Sequence, residues 1–168
     1  MSLFPINFRE ALLSDIFIIQ VIANKSWRAT YTGLITNEQI DYLLRLWYSQ
    51  SALERLIQDQ DYKFYLVIDI EEPIGFFSYF PDSENKHLLR IGRIYLLPEA
   101  QGKGYGSQIM KFIESFGREL GFKSIELNVN QGNSAIRFYE KRGFEILREE
   151  NIQMDNHQFI DLVMGKSI

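Results

Sequence analysis

The spacing of apolar residues along this chain changes several times, and each change marks a new element. Pro5 to Arg9 reads as a short first strand. Ser14-Asp15 then suits a helix start, and Ile16, Ile19, Ala23 and Trp27 recur at helical spacing, which predicts a helix to about Ala29. Tyr31-Thr32-Gly33-Leu34 is a turn. Thr36 with Gln39 three residues on forms a capping box for a second helix, with Ile40, Leu43, Leu44 and Trp47 on its apolar face. A further amphipathic piece carries Leu53, Leu56 and Ile57. From Tyr62 the period becomes extended. KFYLVIDI is a strand, Glu71-Glu72-Pro73 its turn, and Ile74 to Phe80 the antiparallel partner, followed by a polar loop from Pro81 to Lys86.

The second half follows the same logic. An apolar run with Ile91, Ile94, Tyr95, Leu96 and Leu97 reads as a buried central strand stopped by Pro98. Ile109, Phe112, Ile113, Phe116 and Leu120 mark a helix that Gly121 caps. Ser124 to Val129 is the next strand, Asn133 starts a helix through Ala135, Ile136 and Tyr139 to near Gly143, and Phe144–Met154 with His157–Gly165 form a hairpin around Asp155-Asn156. The expected fold is mixed α+β. A mostly antiparallel sheet of about seven strands holds one right-handed, parallel βαβ step and carries helices on its faces.

Length and composition narrow the chemistry. At 168 residues the chain reads as a single domain, 1–168, able to bury a full core. The absence of cysteine excludes disulfides and thiol catalysis, and the two histidines, His87 and His157, are too far apart in sequence to suggest a metal site. A net charge of −4 without a dense basic patch argues against nucleic acid as a partner. No signal-like or membrane-spanning run is visible, so the expected location is the cytoplasm, without a membrane partner.

The stretch after the central strand carries the strongest chemical signal. Gln101-Gly102-Lys103-Gly104-Tyr105-Gly106 places three glycines in five residues at the opening of a helix. Glycine lets a backbone turn with positive φ and bring its N–H groups close to a ligand, and a helix start adds unpaired donors and the positive end of its dipole. Such a loop suits a phosphate. It is not a Walker loop, because Lys103 is followed by Gly104 and not by Ser or Thr. A dinucleotide fingerprint fits Gly102 and Gly104 but meets Ser107 at its sixth place, and its ribose acid would be Glu126 inside the next strand, so that reading is weakened and stays open. The remaining pattern, Gln/Arg-x-x-Gly-x-Gly, is met by Gln101, Gly104 and Gly106.

With this loop, and with N-S-A-I-R-F-Y-E-K-R-G-F from Asn133 to Phe144, the chain resembles the GNAT superfamily of N-acetyltransferases. The element order is also that of the GNAT three-layer fold, from Phe8 to about Lys166. The resemblance implies acetyl-CoA as co-substrate. It implies that the strand residues Tyr95, Leu96 and Leu97 pair with the pantetheine arm, and that a main-chain N–H near Leu96 polarises the thioester carbonyl. Gln101, Gly102, Lys103, Gly104, Tyr105, Gly106 and Ser107 would hold the pyrophosphate, with Asn133 a further contact. It also implies Tyr139 as general acid toward the departing thiolate, since a phenol titrates near ~10 and a thiol near ~8.5. The plainer alternatives are a core aromatic at Tyr139, an ordinary central strand, a solvated Lys103 and a simple N-cap at Asn133. Where family members often carry a glutamate base, this chain has Arg90; Glu126 or a water relay is the substitute.

The acceptor expected from the resemblance is a primary amine, on a small molecule, a polyamine or a peptide, attacking directly in a ternary complex. Trp27, Tyr31, Tyr42, Trp47 and Tyr48 with Glu38 and Asp41 would suit a cationic amine, although the tryptophans also fit core positions and the acids solvated ones. Two rival functions are a non-catalytic acyl-CoA-binding module and a nucleotide-dependent oxidoreductase. The apolar last strands offer a surface for a homodimer.

Overall fold

The computed structural model describes residues 6–168, so Pro5 of the expected first strand lies outside the described residues. Strand β1 is Asn7–Glu10. Helices α1 (Ile16–Tyr31), α2 (Asn37–Tyr48) and α3 (Gln50–Gln58) follow, then strands β2 (Lys63–Asp69), β3 (Glu72–Pro81) and β4 (Leu88–Leu96). Helix α4 (Tyr105–Glu119), strand β5 (Ser124–Asn130), helix α5 (Ile136–Lys141) and strands β6 (Glu145–Met154) and β7 (His157–Ser167) complete the chain. The seven strands form one sheet in the order β1-β2-β3-β4-β5-β7-β6, antiparallel throughout except for the parallel pair β4 and β5 that α4 connects.

Local chemistry explains most boundaries. Thr36 Oγ1 accepts from the Gln39 N–H at 3.2 Å while Gln39 Oε1 accepts from the Thr36 N–H at 2.9 Å, the expected capping box, worth about 1 kcal/mol. Gly121, at φ +84°, ends α4 with the Phe122 N–H bonded back to the Gly117 carbonyl. The β2–β3 turn falls earlier than expected. Ile70 and Glu71 both take positive φ, and Pro73 is inside β3 opposite Ile68, next to a register shift where a missing N–H is tolerated.

The sheet divides two cores. Ile19, Ile22, Trp27, Ile40, Leu43 and Leu53 of α1–α3 bury against Phe64, Leu66 and Phe76 on one face. Ile109, Met110 and Ile113 of α4, with Tyr139 of α5, bury against Val67, Phe77, Leu89 and Ile125 on the other. The result is the expected three-layer mixed fold. The last strand is not an edge: β7 lies between β5 and β6, and the edge at this end of the sheet is β6, which carries Glu145, Arg148, Glu149 and Glu150.

Candidate active site

Two irregularities in β4 build the site. Ser78 pairs with Arg93 and Tyr79 with Ile91, so Gly92 is an inserted residue, a β-bulge. A Cβ at Gly92 would lie 2.5 Å from Tyr62 Oη and 2.9 Å from Ser78 Oγ, which leaves room for glycine alone. One inserted residue reverses the facing of every side chain beyond it. Leu89 and Ile91 therefore join the core under α4, whereas Tyr95 packs with α1–α3 and Arg93 lines a cavity on that same side. The second irregularity is a fork. β4 and β5 pair only from Leu88–Ile91 to Ser124–Leu127, although β4 runs to Leu96 and β5 to Asn130. Beyond Ile91 the two strands part. The Leu97 N–H bonds to Ile74 on β3, so alternation turns the Leu96 backbone toward the fork; its carbonyl accepts from Ser26 Oγ at 3.0 Å and from Gln101 Nε2 at 3.2 Å.

One cleft, of about 410 Å³, opens along this free strand edge. It brings together Tyr95, Leu96, Gln101, Gly102, Gly104, Gly106, Ser107, Asn133 and Tyr139 from the sequence reading. Gly102 and Gly104 have φ of +74° and +84°, and a Cβ on either would meet nothing within 4 Å, so they serve conformation and leave the loop open. Gly104 is the N-cap of α4, whose unpaired N–H donors and dipole suit a pyrophosphate. The side chains of Leu97, Lys103 and Tyr105 lie outside this lining. Leu97 packs into the cores, Lys103 is exposed, and Tyr105 is buried with its hydroxyl 2.6 Å from Asp69 Oδ2. Asn133 stands before α5 instead of inside it: Oδ1 accepts the Ala135 N–H at 2.9 Å and Nδ2 donates to Tyr31 Oη at 3.3 Å. Burial holds the Tyr139 phenol well above its ordinary pKa, hence protonated, and among the described residues nothing hydrogen-bonds its hydroxyl.

A second cavity, of about 290 Å³, lies on the other side of Tyr95, which lines both. Helix α1 serves the two in alternation, giving Ser26 and Thr30 to the cleft and Trp27 and Tyr31 to the cavity. Trp47, Tyr48, Ile152 and Phe159 add to its apolar wall, while Arg93, Asn128, Asn130 and Asp161 supply polar groups. Burial, reinforced by Glu150 and opposed by a hydrogen bond from Asn130, raises the Asp161 carboxyl above the usual range. The acids expected around an amine are elsewhere. Glu38 is exposed, Asp41 pairs with Arg28 at 2.6 Å, and Tyr42 bonds to Asp155 at 2.6 Å. Glu126 is held between Arg90 at 3.5 Å and Arg148 at 3.4 Å, and Arg90 also pairs with Asp82 at 2.6 Å, so neither faces the cavity as a free group. Sequence reading missed Arg93, Asn128, Asn130 and Asp161. A visible signal existed for the last three: Asn128 and Asn130 occupy alternate positions on β5, and Asp161 interrupts the apolar run FIDLVM.

Comparison with known proteins agrees with this geometry. Residues 23–144 match the acetyltransferase (GNAT) family. A spermidine N(1)-acetyltransferase of Thermoplasma acidophilum is 28% identical over 146 residues, 84% of this chain and 89% of that protein. The uncharacterized N-acetyltransferase YuaI of Bacillus subtilis is 29% identical over 164 residues, 95% and 92% of the two chains. Among solved structures, PaiA N-acetyltransferase from Thermoplasma acidophilum in complex with coenzyme A superposes with a TM-score of 0.81 at 26% identity, covering 98% of this chain and all (100%) of that one. The open glycine loop, the helix start and the free strand edge fit acetyl-CoA as the co-substrate. The chain belongs to the GNAT family and is an acetyl-CoA-dependent N-acetyltransferase.

Proposed function

We propose that this enzyme acetylates the primary amine of a small molecule, which enters the aromatic cavity while acetyl-CoA occupies the cleft, and that transfer is direct. The observation carrying this reading is the pair of cavities meeting at Tyr95, at the fork where the side of β4 that faces β5 has no strand partner beyond Ile91. Bound acetyl-CoA supplies an activated thioester. The Leu96 N–H donates to its carbonyl oxygen, drawing electron density from the carbon under attack. An amine of lysine type titrates near ~10.4 and must lose a proton before it can attack. Asp161, whose carboxyl is pushed toward neutrality by burial, accepts that proton directly or through water. The new C–N bond forms and the C–S bond breaks; Tyr139 gives its proton to the thiolate sulfur and regains one from the acylated nitrogen, directly or through water, so that the products are a neutral amide, the CoA thiol and the proton held by Asp161. The absence of cysteine accords with a route lacking an acetyl-thiol enzyme. The likeness to a spermidine N(1)-acetyltransferase favours a polyamine as a second reading of the acceptor.

Initial velocities with both substrates varied test the route. Intersecting double-reciprocal lines are expected; parallel lines would mean a covalent acetyl-enzyme and sink the ternary-complex reading.

A further inference from the structure

The charges in the amine cavity are poorly matched to a polycation. Its lining holds one acid, Asp161, and one cation, Arg93. Three other arginines are paired with acids: Arg28 with Asp41, Arg90 with Asp82 and Glu126, Arg148 with Glu126 and Glu150. Arg93 differs. Among the described residues it has no carboxylate partner; its guanidinium lies 5.3 Å from the Tyr48 ring centroid and 5.9 Å from that of Tyr62, and donates to the Tyr62 hydroxyl. Ring faces hold a guanidinium without consuming its N–H groups, and with the Tyr62 and Tyr48 hydroxyls as its hydrogen-bond partners a fork of five donors is only partly used. Across the cavity, Asp161 is likewise without a cationic partner among the described residues, with only the Asn130 amide bonded to it.

A charge drawn out of water is costly unless a partner compensates it. Here two opposite charges stand unpaired in one aromatic cavity, between them Asn128 and Asn130 of β5, and a single ligand carrying both signs would satisfy each. The bulge at Gly92 is what turns Arg93 into this position, on the same face as Tyr95. We propose that the acceptor is a zwitterion of the amino-acid type, whose carboxylate is bound by Arg93 and whose amine is directed toward Asp161. This rests on the reading of the aromatic cavity as the acceptor site. Arg93 is then a specificity-determining residue, suited to a planar carboxylate by its fork geometry. Spermidine, which offers cations only, would meet Arg93 as a like charge.

The test compares matched acceptors by thiol release from acetyl-CoA. The panel contains the common amino acids, their amides, their decarboxylated amines, putrescine and spermidine. The best acceptor is expected to carry a carboxylate and to exceed its own amide in kcat/KM by about 10- to 100-fold. Arg93→Gln should bring that ratio close to one with the KM for acetyl-CoA unchanged, and Arg93→Lys should keep part of it. The wild-type ratio decides even if Arg93→Gln fails to fold. A polyamine or simple amine used as well as any amino acid overturns the proposal, as does an unchanged ratio in folded Arg93→Gln. Silence of the whole panel while CoA raises the melting temperature also overturns it and leaves the cofactor site standing. Silence without any CoA effect overturns the function reading itself.

Discussion

The two cavities that meet at Tyr95 are made of different material. The cofactor cleft is largely backbone: a strand edge without a partner, a glycine loop and a helix start, contributed mainly by one continuous stretch from Ile94 to Ser107 with a second from Asn133 to Tyr139. The aromatic cavity, proposed as the acceptor site, is made of side chains from α1, α2, β4, β5, β6 and β7, which come together only when the sheet has formed. A backbone cradle restricts residue type at fixed spacing, because only glycine takes positive φ without strain. A side-chain cavity imposes no such local rule. The first is therefore suited to a cofactor held in common, and the second to an acceptor that varies.

Tyr139 lines the cleft alone, and its removal should have the largest effect. Tyr139→Phe is expected to lower kcat by about 10²–10⁴ with both KM values within a few-fold of wild type, measured at saturating acetyl-CoA and acceptor. Activity within a few-fold of wild type would reduce Tyr139 to its ring contacts with Phe138 and Phe144, at 5.2 and 5.8 Å. The thiolate would then take its proton from another group, and the cleft would keep binding as its only established task.

The same contrast explains what the chain disclosed before folding. Helices α1, α2 and α4, the β5 strand, the final hairpin and the capping box at Thr36 were legible because periodicity and capping are local. So was the cleft, through Gly102, Gly104, Asn133 and Tyr139. Arg93 was not. Strict alternation from Leu89 and Ile91 puts it under α4, and only the bulge at Gly92, fixed by the approach of Tyr62 just before β2 and of Ser78 in β3, moves it to the opposite face. Asp161 showed only as a break in the apolar run of β7, and its place beside Asn130 depends on the β5–β7 register. Glu126, read from the sequence as a substitute base, is paired with Arg90 and Arg148, contacts between strands that sequence spacing does not show.

Two glycines allow the regions to be perturbed separately. Gly92→Ala forces a methyl within 2.5 Å of Tyr62 Oη and 2.9 Å of Ser78 Oγ, an overpacking that costs about 1–3 kcal/mol and displaces Arg93. The expected result is a melting temperature lower by several degrees and a raised acceptor KM, with the KM for acetyl-CoA little changed. Gly104→Ala meets no atom, but its φ of +84° strains any residue with a Cβ, by about 1–2 kcal/mol. There the KM for acetyl-CoA should rise by roughly five- to thirty-fold if the loop relaxes, and the acceptor KM should hold. Effects crossing over between the two substrates would show that the cavities are one coupled site.

The smallest expected effect is on stability and has the opposite sign. A carboxyl whose pKa is higher in the folded chain than in the unfolded one binds its proton more tightly when folded. Asp161 is in that position because of burial first and Glu150 second. Its contribution to stability is therefore favourable below the unfolded value, near ~3.9, and is lost as pH rises through the raised folded value, above which the protein carries an ionised, half-buried group. Asp161→Asn should raise the melting temperature at neutral pH by about 1–3 °C, and the gain should close on acidification toward pH ~4. The acceptor kcat/KM should fall in the same variant, and the acid limb of its pH profile should disappear, because the proton acceptor is gone. A gain in stability joined to a loss of activity is what a charge kept for function produces. If Asp161→Asn is both less stable and fully active, Asp161 is a structural acid, and the acceptor cavity has no base of its own.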